Sequence, residues 1–94
     1  MRPPRAVELV LFARALTACP ALMRRRRAQQ IIAETEAAQD YFRHHQACHP
    51  ALGDGSLTSR LMPLCPRPEP FADDPDFLHA LLIVVETLLV NVKR

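Results

Sequence analysis

Four consecutive arginines, Arg24 to Arg27, form the densest charge in the chain. Guanidinium groups bind phosphate oxygens bidentately, so the run points to a polyanion, and to the backbone of a nucleic acid rather than its bases. Successive helical residues turn by about 100°, so on a helix the four form a ring and cannot all pack inside. Arginines at a helix start also oppose the macrodipole, a local cost that favours a binding role. The plainer alternative is a solvated helix start paired with acids such as Glu34, Glu36, Asp73 or Asp74.

His44, His45, Cys48 and His49 form a second cluster. His45 and His49 are four residues apart, as are His44 and Cys48, and imidazole with thiolate suits zinc. One helix cannot aim all four at a single ion, and no companion pair has zinc-finger spacing. A polar helix end, with histidines against the negative dipole, is the expectation, so no metal and no cofactor is assigned. Cys48 beside a histidine could be an activated thiol, and His49, Asp54 and Ser56 could be parts of a triad. Neither has the strand-and-loop scaffold such chemistry uses, and the chain is expected not to be an enzyme. Gly53-Asp54-Gly55-Ser56 could cradle an anion. It lacks the spacing and lysine of a P-loop, and glycines at positive φ followed by an Asp54 or Ser56 cap explain it more simply.

The elements that position these residues are helical. Residues 6–18 read as a first helix, with Val7, Val10, Leu11 and Leu16 apolar and Glu8 and Arg14 outward. Pro20 opens a second helix running to about residue 46. In it Ala28, Ile31, Thr35, Ala38, Phe42 and His45 follow the spacing of a helical seam, which Ile32 and Tyr41 widen. The segment 51–55 is a turn, and Ser56 caps a short helix over about 57–64. Residues 63–75 are a Pro-rich linker. The last helix, residues 75–92, opens with Asp74 as N-cap, Pro75 in the first helical position and Asp76 in the first turn. Its few polar residues, His79, Glu86, Thr87 and Asn91, fall on one stripe, and a helix this apolar must be covered on nearly all sides. The expected fold is all-α: a long antiparallel helical hairpin with a packed N-terminal helix and one short connecting helix.

Ninety-four residues make a single domain, residues 1–94, near the lower end of what buries its own core. That shortage predicts a homo-oligomer, or a protein partner on the last helix. Net charge is only +2, but residues 1–27 carry seven arginines against Glu8, so the basic end could meet duplex DNA. Three cysteines are odd in number and favour a reducing cytoplasm. Leu16-Thr17-Ala18-Cys19 has the look of a lipobox, but Glu8 and Arg14 interrupt the apolar stretch such a signal needs. Glu86 argues against a membrane span over 75–92, and no membrane partner is expected.

His49-Pro50-x-x-Gly53-Asp54-Gly55-Ser56-Leu57, after an Ala/Glu-rich helix carrying Tyr41, resembles a family of short, uncharacterised, Ala/Arg-rich bacterial helical proteins. The resemblance covers residues 28–60 and the last helix. It implies a fold and no catalytic residues. More loosely, a helical hairpin with a basic N-terminal half is similar to phage-type small terminase subunits, which assemble into rings and help load DNA for packaging. No helix-turn-helix precedes the hairpin, so that similarity implies backbone contact through Arg24, Arg25, Arg26 and Arg27 rather than sequence reading. The expected function is a self-associating, partner-binding protein that contacts the DNA backbone. The alternatives are a protein-binding adaptor or regulator without nucleic acid, and a small metal-binding helical protein.

Overall fold

The computed structural model describes residues 3–64 and 71–92. Helix α1 spans Ala6–Thr17, α2 Arg24–His45, α3 Leu57–Leu61 and α4 Pro75–Val92. Two 3-10 turns, Ala21–Met23 and Met62–Leu64, lead into α2 and out of α3. There is no strand among the described residues, and the fold is all-α. Residues 65–70 of the Pro-rich linker lie outside the described residues.

The helix ends follow their local chemistry. Asp74 caps α4 as expected, its Oδ1 accepting from the Asp76 and Phe77 amides. Ser56 caps α3 by accepting from the Ser59 amide at 3.2 Å. Pro20 does not start an α-helix directly. It heads the tight turn Ala21–Met23, and α2 begins only at Arg24. At its other end Gln46 takes a left-handed conformation, φ 52°, and its amide closes on the Phe42 carbonyl.

Phe12 and Leu16 of α1, Ile31 of α2, Leu57 and Leu61 of α3, and Ile83 and Val84 of α4 meet in one core. Of the expected α2 seam, Ala28, Ile31, Thr35 and Ala38 are buried, whereas Phe42 and His45 are exposed where α2 outruns its cover. Thr35 satisfies its buried hydroxyl by donating to the Ile31 carbonyl. In α1 the expectation for Glu8 was wrong. Glu8 is buried, while Val7, expected to be an apolar packing position, is 62% exposed. The reason is tertiary: α1 and α3 pack together, and Glu8 reaches the α3 backbone.

Direction of packing is the other difference. The end of α1 meets the start of α2 at Leu16 and Arg24, while the start of α1 and the middle of α2 both meet α3, so α1 and α2 run antiparallel. Helix α1 is also the principal neighbour of α4. Helices α2 and α4 meet start to start at Arg24 and Asp76, and further on at Ile32, Ala33, Thr87 and Val90. They therefore run in the same sense, because the long connection through α3 brings the chain back to the starting end.

Candidate functional site

The arginine run divides into separate roles. Arg24 is 3% exposed and lies between three helices. Its Nε donates to the Leu16 carbonyl at the end of α1 (3.1 Å), its Nη2 to Asp76 Oδ1 (2.6 Å), and its Nη1 to His79 Nδ1 (2.9 Å). The expected ring of four exposed arginines is thus corrected to two, since Arg24 is buried and Arg27 is half-buried. Burial of Arg24 is possible because its fork finds a helix-end carbonyl, a carboxylate and an imidazole at once. Arg25 reaches across to Glu86 on α4 at 2.7 Å, and this pairing lowers the Glu86 carboxyl below its ordinary range. Arg27 stands 3.7 Å from Glu34, the acid that Arg60 of α3 grips with Nε and Nη2 at 3.1 and 2.8 Å. Arg26 is exposed, with no ion pair among the described residues.

The histidine cluster serves its own loop. His44 and His45 each use Nδ1 on the backbone carbonyl four residues earlier, Asp40 and Tyr41 respectively. His45 stacks on the Tyr41 ring at 4.0 Å, and His49 meets the same ring edge-on. His49 Nδ1 accepts from the Ala51 and Leu52 amides, while its backbone pairs with Gly53 in both directions. Among the described residues no three His, Cys, Asp or Glu side chains converge in a group that could hold a metal ion. The triad candidates are likewise occupied: Ser56 Oγ donates to Asp54 Oδ1 at 2.8 Å instead of to an imidazole. Gly53 and Gly55 have φ of +89° and +94°. A Cβ on Gly53 would collide with Ser59 Oγ, and one on Gly55 would lie 2.7 Å from the Gln39 Cα. The loop motif is therefore a device for seating the loop against α2 and starting α3.

Helix α4 is arranged the other way round from a surface helix. Its polar stripe turns toward α2: His79 meets Arg24, Glu86 meets Arg25, and Thr87 and Asn91 line a cleft shared with α2. Phe77, Ala80, Ile83, Val84 and Leu88 fill the core. The remaining face is apolar and open, with Leu78, Leu82, Val85, Leu89 and Val92 each between 46% and 77% exposed.

The family model of a domain of unknown function, DUF7742, matches residues 2–88. This chain belongs to that family. No curated protein and no solved structure matches it.

In this DUF7742 protein the cleft between α2 and α4 has a volume of about 190 Å³. Ile32, Ala33 and Val90 form its apolar floor, and the Arg25–Glu86 pair and Glu36 stand at its edge. It presents the amides of Gln29 and Asn91, the Thr87 hydroxyl and the carboxylates of Glu36 and Glu86. Two residues that organise the DUF7742 fold escaped the sequence reading. Glu8 accepts from the Arg5 amide with Oε1 and from both the amide and hydroxyl of Thr58 with Oε2. Burial pushes its carboxyl up, but these donors and the Arg5 charge outweigh it, and the net shift is downward. Arg60 is the second. A capping-box signal, a glutamate three residues after the cap position, was available for Glu8, and nothing local marks Arg60.

Proposed function

We propose that this protein is a non-enzymatic, cytoplasmic, self-associating helical protein that works by binding partners through the outer face of α4. The observation that carries the reading is the orientation of α4, which spends its polar stripe on α2 and leaves a continuous apolar stripe in solvent. Contiguous apolar surface of this kind marks an interaction site, because covering it removes the cost of hydrating it. The occupied hydrogen bonds of His49, Asp54 and Ser56 support a non-catalytic role. Light scattering at tens of micromolar tests the reading. A mass above 10.6 kDa is expected, and a purely monomeric protein overturns self-association.

A second reading, contact with the DNA backbone, is supported by Arg25 and Arg26, which are both exposed at the start of α2. It is the setting in which a role like that of phage small terminase subunits in DNA packaging would operate. Arg24 is committed to the core and Arg27 is drawn toward Glu34, so phosphate would be met by Arg26 and by Arg25 on exchanging its exposed partner Glu86. Binding to unrelated duplexes is then expected to weaken with salt at a log–log slope of roughly −2 per protomer. Replacing Arg25 and Arg26 together by Gln flattens that slope. No binding at low salt leaves the protein-only adaptor reading.

A further inference from the structure

We propose that the occupant of the outer α4 face is a second copy of this chain, whose α4 runs antiparallel to the first across a twofold axis. The proposal rests on the self-association reading and adds to it the partner segment, its direction and the number of copies. Leu78, Leu82, Val85, Leu89 and Val92 succeed one another at spacings of four, three, four and three. That is the repeat with which two helices interlock side chains along a seam. The stripe runs along α4 from Leu78 to Val92, roughly 21 Å. A twofold axis between Leu82 and Val85 sets each Leu82 against the partner's Val85, and each Leu78 against the partner's Leu89. Such an interface is self-complementary, as an isologous dimer requires.

Charge decides the direction. Asp73, Asp74 and Asp76 gather at the start of α4. Parallel pairing sets the acidic starts of the two helices side by side with both macrodipoles aligned. Antiparallel pairing separates the acidic starts, sets each against the far end of the other helix and opposes the dipoles. Five partly exposed Leu and Val residues per copy bury on the order of 1,000 Å² in total, the low end of specific interfaces, which fits association in the micromolar range.

Cross-linking reads the direction. In a background with Cys19, Cys48 and Cys65 changed to Ser, Leu78→Cys and Leu89→Cys are made separately, mixed, and oxidised with copper–phenanthroline. The two positions are roughly 16 Å apart along the helix, too far for one disulfide to tolerate both registers. The expected result is a covalent dimer in the mixture and little from either variant alone. Dimers from each variant alone overturn the antiparallel arrangement while leaving self-association standing. A monomeric mass without cross-links overturns both. Helix α4 is also long and apolar enough to cross a membrane, so flotation with phosphatidylglycerol vesicles is measured in parallel. A monomer that floats with them assigns the face to lipid and overturns the proposal. Leu82→Arg provides the independent control. Its mass is expected to fall to 10.6 kDa with helix content by circular dichroism unchanged, and an unchanged mass overturns the assigned surface.

Discussion

Glu8 and Arg24 are both buried charges that tie helices together, yet they do so on opposite electrostatic terms. Glu8 sits in the first turn of α1 and accepts from the first turn of α3, so two positive helix ends favour its charge. Arg24 sits at the start of α2 and beside the start of α4, where both dipoles disfavour a cation. It is retained because Asp76 supplies a full negative charge and the end of α1 supplies the Leu16 carbonyl. The buried carboxylate is thus held by two backbone amides and one hydroxyl without a direct ion pair among the described residues, whereas the buried arginine is held by a counter-charge brought from 52 residues away in sequence. Each arrangement joins one partner close in sequence, Arg5 for Glu8 and Leu16 for Arg24, to one that tertiary packing brings in, Thr58 from 50 residues away and Asp76 from 52.

Removing Arg24 is expected to have the largest effect. Arg24→Met keeps the stem but removes the Asp76 donor and one of the two donors to the Leu16 carbonyl, which keeps the Cys19 amide, at a cost of about 2 kcal/mol. The full penalty of a broken buried pair does not apply, because the Asp76 side chain is 59% exposed and regains water. A melting temperature lowered by roughly 10 °C or more checks this. Arg24→Lys is expected to recover only part of the loss, since an ammonium cannot reproduce the planar fork.

Glu8→Gln comes next, at about 1–2 kcal/mol, because one amide hydrogen replaces an acceptor that now serves two Thr58 donors. This variant also has a pH signature. Glu8 is shifted below the ordinary glutamate value of 4.5, so its contribution is fully present above that pH and lost as pH falls through the lower folded value. Denaturant titrations from pH 6 to pH 3 are expected to show a shallower acid loss in Glu8→Gln than in the original protein. Equal slopes would mean that the Thr58 and Arg5 donors do not hold a charged carboxylate. Combining Arg24→Met with Glu8→Gln sharpens the contrast: the two sites share no partner, and their effects are expected to add within about 0.5 kcal/mol. The smallest effect is expected from Arg26→Gln, within about 0.5 kcal/mol in either direction, because that guanidinium has no ion pair among the described residues. A larger loss would show that Arg26, like Arg24, is part of the framework.

Local signals were legible where local physics decides. Pro75, Asp74 and Asp76 announce the start of α4, and Ser56 announces α3, because capping is settled by atoms within three residues. The glycines of the 53–56 turn declare their positive φ for the same reason. The seam of α2 was legible for four of its positions, since helical periodicity shows which residues share a face. Periodicity does not show where cover ends, and Phe42 and His45 extend past it.

By itself, then, the sequence determined an all-α chain, the approximate reach of each helix, and the excess of apolar surface on the last one. Only the tertiary structure decided which arginine is inside, that Glu8 faces α3, that α4 packs chiefly on α1, and which face of α4 stays open. The physical reason is range. Helix formation and capping are set by neighbours along the chain. The burial of a charge depends instead on a partner such as Asp76 for Arg24, or Thr58 for Glu8, which only the folded arrangement brings within hydrogen-bonding distance.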